Sequence, residues 1–580
     1  MSNLKGDHIS SVSSIPAHAF NEWGDAFVQS MEMPYGEPEY RERAETLVKQ
    51  VKILLKEMQT GDGDLIERLE MVDALQCLGI ERYFQAEIKE ALDYVYRSWD
   101  GTVGIGLGCN SATKHLNATA LGLRVLRLHR YDVSPDTLHN FKDNTGKFVL
   151  TGENKDNNDE DTNKEEKVMR SILNLFRLSS LAFPGEIIME EAKAFSTRYL
   201  KELLEISRDT FNRSFIKEVE YALTYEWPRT FTRWEARNFI EICDLDNDRL
   251  KDKRILELAK LDFNILQFQY QLEMKNLSRW WVESGISNLV ATRERSIEYL
   301  FWAVTSTDEL EFSSSRIAHA KCTTIITIMD DIFDDYATLE QLKCIVDAIS
   351  KNWDVSIIEN IPNNLKTCFE FVSKTVHELA IDATEYQGRD MMPFITKAWT
   401  DYGEACFEQA CWKVKGYFPT YNEYIKCAEL SVAFGPILLH TALLASPDLC
   451  DDDIEKIYLD KSRFFKLMRV CMRLIDDIND FEDERLHGKI ASAIACYKGD
   501  HPNCSESEAI NQIITLNNKL LRELTREFFK SNMNFLEWQK ICVNSTRGVQ
   551  FFYIFRDGFT YSHKEIKQQI FKILVDPIKM

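Results

Sequence analysis

The chain reads as all-α. Apolar residues recur at helical spacing from about Pro38 onward. No stretch shows sustained strand alternation closed by hairpin turns. The most distinctive polar runs are themselves built on a helical repeat. In chain order, Ile88, Ala91, Leu92, Val95 and Tyr96 form one apolar stripe, and Ile325, Ile328, Met329, Ile332 and Phe333 a second. Met468, Cys471, Met472 and Ile475 form a third.

Two acidic clusters end the second and third stripes. The first runs from Asp330 to Asp335 and the second from Asp476 to Glu484. Residues four apart share a helix face, so Asp330 pairs with Asp334, while Asp476, Asp480 and Glu484 line up with Arg473 one turn ahead. Like charges stacked in this way cost a helix a few tenths of a kcal/mol per pair. A divalent cation removes that cost. Carboxylates with open positions suit Mg²⁺, whose shell a substrate phosphate can complete.

Arginines accompany the acids. Arg293 and Arg295 lie far enough upstream of Asp330 for a helix, a turn and a return to the same end of a bundle. Guanidinium forks match phosphate oxygens, whereas carboxylates repel a diphosphate and reach it only through metal ions. The set therefore points to a Mg²⁺–diphosphate site, in which a clamped diphosphate becomes a leaving group. An allylic carbon would be left as a cation, which calls for a dry aromatic lining. Trp302, two turns past Arg295, and Phe552, Tyr553 and Phe559 are the candidates.

Composition narrows the classes. With 580 residues, 44% hydrophobic, the chain has core enough for two large domains. A net charge of −22 excludes nucleic acid as a natural partner. The 14 scattered cysteines lack CxxC or zinc spacing and read as reduced thiols. No membrane span is expected. Met1–Ala19 lacks a secretory core and is poor in transit-peptide features, which predicts a cytosolic protein. The polar stretch 151–168 reads as a long loop, and 243–253 as a loop near a domain junction. Pro436 should break or kink a helix and expose carbonyls. Asp451 to Asp453 read as a solvated helix start. There is no DxDD, P-loop, nucleophile elbow or HExxH pattern.

These motifs resemble those of the plant class I terpene synthases. Arg293-Glu294-Arg295 resembles the family's Arg-x-Arg, Asp330 to Asp334 its aspartate-rich motif, and Asp476 to Glu484 its second metal motif. Segments such as AFPGEIIMEEAKAFSTRYLKE resemble gymnosperm sesquiterpene synthases. The resemblance implies two helical domains: a non-catalytic α-barrel (relict glycosyl-hydrolase-like) over 21–235 after a disordered segment 1–20, then a class I terpenoid synthase bundle over 236–580. It implies Asp330 and Asp334 on two Mg²⁺ ions, and Asp476, Asp480 and Glu484 on a third, with Mn²⁺ able to substitute. It implies Arg293, Arg295 and Arg473 on the diphosphate, and Trp302, Phe552 and Phe559 on the hydrocarbon. Asp480 stands where the family usually has Ser or Thr, and Phe552 and Phe559 where some relatives have Tyr. The family's tandem arginine is absent before Trp23.

The expected activity is a Mg²⁺-dependent sesquiterpene synthase on farnesyl diphosphate, as a monomer or weak dimer. The alternatives are a geranyl or geranylgeranyl diphosphate substrate, a prenyl-chain elongase, or a non-catalytic helical scaffold.

Overall fold

The computed structural model describes residues 23–60, 65–101, 104–105, 115–148, 161–206, 211–246, 248–286, 294–458, 462–486, 491–530, 537–559 and 564–580, with the backbone alone at 59–60, 161–164, 335, 458, 482–486 and 530. Among these residues there is no strand, only two isolated bridges. The stripes read from the sequence face inward. Ile88, Ala91, Leu92 and Val95 are buried on Gln85–Arg97, while Tyr96 turns outward to meet the Tyr131 ring at a tilt. All members of the other two stripes are buried.

Five helices of the first half close a ring: α1 (Leu65–Cys77), α2 (Leu116–Leu128), α3 (Asp161–Ser179), α4 (Arg213–Thr224) and α5 (Thr232–Leu245), which returns to α1. Closing the ring buries apolar surface that a lone helix would expose, and α2 is buried on nearly every side. The loop expected over 151–168 is shorter than the sequence suggests, because α3 begins at Asp161. Its apolar stripe begins near Val168, within reach of the ring. The stretch 151–160 lies outside the described residues, as do 1–22.

Residues 246–252 separate α5 from α6 (Lys253–Ser284), so the junction loop is narrower than 243–253. Position 236, the expected start of the second domain, lies inside α5. Buried ion pairs cross here. Arg233, 1% exposed, reaches Asp262 at 3.1 Å and Asp308 at 2.7 Å.

The second half forms another ring. It runs through α7 (Ser296–Ser306), α8 (Ser313–Asp331) with the Ile332–Tyr336 turn that continues it, α9 (Met392–Lys415), α10 (Tyr421–Ser431), α12 (Arg463–Leu486) and α14 (Glu537–Phe552), which closes on α7. Helix α11 (Phe434–Leu443) packs on α8, α9, α12 and α14 together. The short helix α13 (Ala493–Asp500) packs on α10 and α12.

Residues 573–578 are held by side-chain amides, one guanidinium and one phenol. Asn264 donates to the Ile578 carbonyl at 2.8 Å and accepts from the Ile578 amide at 2.8 Å. Gln267 donates to the Ile573 carbonyl and Gln271 to the Val575 carbonyl. Arg237 donates to the Asp576 carbonyl at 2.6 Å, and the Tyr35 hydroxyl donates to Ile578 O at 3.4 Å. Groups that a helix or strand would satisfy are here satisfied by the body of the protein.

Candidate active site

The first acidic cluster does not sit on a uniform α-helix. Helix α8 stops at Asp331, and Ile332–Tyr336 winds as a π-turn closed by Ala337 N donating to Ile332 O at 3.2 Å. A π-turn spreads more residues over each revolution, so the i, i+4 alignment of Asp330 and Asp334 expected for an α-helix does not carry through. Asp330 is half-buried, Asp331 is buried and Asp334 is exposed. The turn accommodates the buried Ile332 and Phe333 while turning the later carboxylate outward.

Helix α9 presents Tyr402, Cys406 and Lys413 to this cluster, which share one face by helical spacing. The Tyr402 hydroxyl donates to Asp330 Oδ1 at 2.7 Å, and Lys413 Nζ donates to the Asp334 carbonyl at 3.2 Å. Burial, reinforced by Asp330 and Cys406, pushes the Tyr402 phenol well above its usual pKa and keeps it a donor.

The second cluster lies on α12. Arg473 Nη1 reaches Asp476 Oδ2 at 2.9 Å and Asp477 Oδ1 at 3.0 Å. Asp480 is half-buried. Tyr553, just past α14, donates to Asp476 Oδ1 at 2.5 Å. Burial, then Asp476, Asp557 and Asp480, raise its pKa far above normal. The Glu484 side chain and Arg293 lie outside the described residues. Arg295 is 2% exposed and stands at the N-cap of α7, its Nη1 donating to the Glu294 carbonyl.

Asp477 differs from its neighbours. It is fully buried and accepts from Tyr424 at 2.9 and 2.8 Å, from the Ala493 amide at 2.6 Å, and from Arg473. It ties α10, α12 and α13 together and has little capacity left for a ligand.

The aromatic candidates converge. Phe559 stacks on Phe552 with centroids 4.4 Å apart, and lies 5.0 Å from Trp302 edge-on and 5.5 Å from Tyr553. Trp302 is wholly buried, donates from Nε1 to Ser545 O at 3.1 Å, and lies parallel to Phe434 at 6.2 Å. Its other close neighbour, His319, meets it edge-to-face at 4.6 Å. Thr441 spends its proton on the Ile437 carbonyl (2.7 Å), so it can only accept at 3.0 Å from His319 Nδ1. Burial pushes this imidazole down to about 3. It is therefore the neutral Nδ1–H tautomer, and its Nε2 meets no donor among the described residues.

The helix break expected around Pro436 is present, at Ala433–Pro436. Ala433, at φ 60°, separates α10 from α11, and Pro436 sits in the first turn of α11, where a missing N–H costs nothing.

Sequence reasoning missed Tyr402 and Tyr424 as partners of the acids, and His319 beneath Trp302. The available signal was a tyrosine in a core stripe, since a buried phenol needs an acceptor.

Among the described residues no three acidic, histidine or cysteine groups converge on one point. Mg²⁺ asks for less, commonly one or two carboxylates with water and phosphate oxygens. Hard oxygen donors at the C-terminal end of α8 and on the second half of α12, with the Arg473 guanidinium beside Asp476, fit that demand.

Comparison with known proteins agrees with this arrangement. Residues 22–223 match the model of the terpene synthase N-terminal domain, and 282–539 that of the terpene synthase family metal binding domain. A delta-selinene-like synthase, named as chloroplastic, from Picea sitchensis is 44% identical over 97% of this chain and 96% of its own. A longifolene synthase of Picea engelmannii x Picea glauca is 43% identical over 98% and 97%. The isoprene synthase of grey poplar, solved with three Mg²⁺ ions and dimethylallyl-S-thiolodiphosphate, superposes with a TM-score of 0.81 at 28% identity, over 96% of this chain and 99% of that one. No described helix is long and apolar enough to cross a membrane. With both domain models matched in order and relatives aligned nearly end to end, the chain belongs to the terpene synthase family, enzymes acting on prenyl diphosphates.

Proposed function

We propose that this protein is a Mg²⁺-dependent sesquiterpene synthase that ionises farnesyl diphosphate and cyclises or rearranges the resulting cation. One observation carries the reading. Tyr553 touches Asp476 of an acidic cluster with its hydroxyl and lies against Phe559 of the aromatic cage with its ring, so charge and hydrocarbon sites adjoin. The substrate choice is supported by the longifolene and α-humulene synthases among the relatives.

In this reading Asp330 and Asp334 hold two Mg²⁺ ions, and Asp476, Asp480 and Glu484 a third. The chemistry they supply when bound is neutralisation of the departing diphosphate. Arg295 and Arg473, with Arg293, bind the diphosphate oxygens. Arg473 gives up part of its hold on Asp476 to do so, while Asp477 keeps it placed. The C–O bond breaks with its electrons going to the diphosphate. Trp302, Phe552 and Phe559 then face the allylic cation, each worth about 0.5–2 kcal/mol, and exclude water.

Incubation with geranyl, farnesyl and geranylgeranyl diphosphate, with and without Mg²⁺, and mass spectrometry of the volatiles tests the reading. A hydrocarbon of fifteen carbons from farnesyl diphosphate alone is expected. Product from geranylgeranyl diphosphate only would overturn the substrate, and consumption of isopentenyl diphosphate would favour an elongase. A cytosolic location and a monomeric or weakly dimeric state belong to the same proposal, and fractionation and sedimentation would test them.

A further inference from the structure

Two phenols occupy matching places in the two acidic clusters. Tyr402 comes from α9, and Tyr553 from the end of α14, on different sides of the ring. Each donates to Oδ1 of the first aspartate of its cluster, Asp330 in one case and Asp476 in the other. Both rings are buried, at 1% and 6% exposure. Packing alone would be served by phenylalanine in either place, since a buried hydroxyl earns its position only through a partner. Here each partner is a carboxylate that heads an acidic cluster.

We propose that Tyr402 and Tyr553 are positioning residues for divalent-cation binding, each fixing one oxygen of its aspartate so that the carboxylate meets the ion in a set orientation. The inference rests on the cation site proposed above. A carboxylate oxygen accepts more than one bond, so the phenol stays in place while the ion is held. Hydrogen bonds to ligating groups orient them, and their loss commonly weakens metal binding by 10–100-fold.

The two residues differ in what else they touch. Tyr402 has Trp399 edge-on at 5.8 Å and Cys406 beside it, neither belonging to the Phe559 cage. Tyr553 lies 5.5 Å from Phe559. Removing the Tyr402 hydroxyl therefore acts on the cation alone. Removing the Tyr553 hydroxyl acts on the cation and also frees a ring that shapes the cage.

Tyr402→Phe and Tyr553→Phe, made in the full chain, test this. Calorimetry with Mg²⁺ and inorganic diphosphate, and the Mg²⁺ dependence of turnover, are compared with wild type, alongside melting without metal. Each variant should need about tenfold more Mg²⁺ for half-saturation while melting close to wild type. Tyr553→Phe should also change the product ratio, and Tyr402→Phe should not. An unchanged Mg²⁺ requirement in both variants, while wild type binds Mg²⁺ and diphosphate cooperatively, overturns the positioning role and leaves the cation site standing. A lowered melting point with unchanged Mg²⁺ dependence shows packing only and overturns it as well. Absence of any Mg²⁺-dependent diphosphate heat in wild type overturns the cation site itself.

Discussion

Tyr424 and Asp477 meet inside the bundle, the phenol within 2.9 and 2.8 Å of the two carboxylate oxygens. Although it sits amid the acidic motif, Asp477 is a structural anion, fully enclosed and bound by groups from three helices. Asp477→Ala removes the acceptor that Tyr424, the Ala493 amide and Arg473 share. A loss of about 3–5 kcal/mol is expected, as for other broken buried pairs. Asp476→Ala should instead abolish turnover with a small change in stability. Denaturant unfolding of the two variants without metal separates these roles.

Gly548 lets α14 approach α7. A Cβ there would lie 2.0 Å from Thr305 Oγ1 and 3.0 Å from Trp302 Cδ1. Alanine elsewhere in a helix gains about 0.5–1 kcal/mol over glycine, but here the overlap should outweigh it, costing about 1–3 kcal/mol. Gly548→Ala should therefore lower the melting temperature. It should also shift the product spectrum, because Trp302 is the ring displaced.

Phe559 joins Tyr299, Trp302, Phe552 and Tyr553. Phe559→Leu keeps an apolar but smaller side chain and removes the π face, a loss of about 0.5–2 kcal/mol for a cation beside it. Ionisation should persist and the product ratio should move toward less rearranged hydrocarbons. Chromatography of products at equal substrate consumption checks this, and an unchanged ratio would place Phe559 outside the cage.

Much of this was legible in the sequence. Stripes ending in acids at Asp330 and Asp476 specify helices that carry carboxylates at the edge of a core, because spacing alone sets which residues share a face. The π-turn at Ile332–Tyr336 was not legible, since it follows from packing around Ile332 and Phe333. Nor were the partners Tyr402 and Tyr424, which lie 72 and 53 residues from Asp330 and Asp477 and meet them only through the ring. Asp477 looked like its neighbours because composition does not distinguish an inward carboxylate from an outward one.

Three histidines are held neutral by burial: His319 down to about 3, and His129 and His440 to about 4. Their folded values lie below the ordinary 6.5, so the unfolded chain binds more protons between those limits. The stability they contribute is complete above pH 6.5 and is lost as pH falls toward 4, each adding a slope of about 1.4 kcal/mol per pH unit in that window. Melting temperature should fall from pH 7 to 5, and His440→Gln should flatten that dependence.

The clasp on residues 572–580 has a consequence for synthesis in the cell. Asn264, Gln267 and Arg237 wait on carbonyls 314, 306 and 339 residues further along the chain, and Tyr35 waits on Ile578. The nascent chain can form its helices on the ribosome, but these polar groups stay open until residues 573–578 have emerged. Deleting residues 572–580 should therefore send the protein to quality control rather than yield a slightly shortened enzyme.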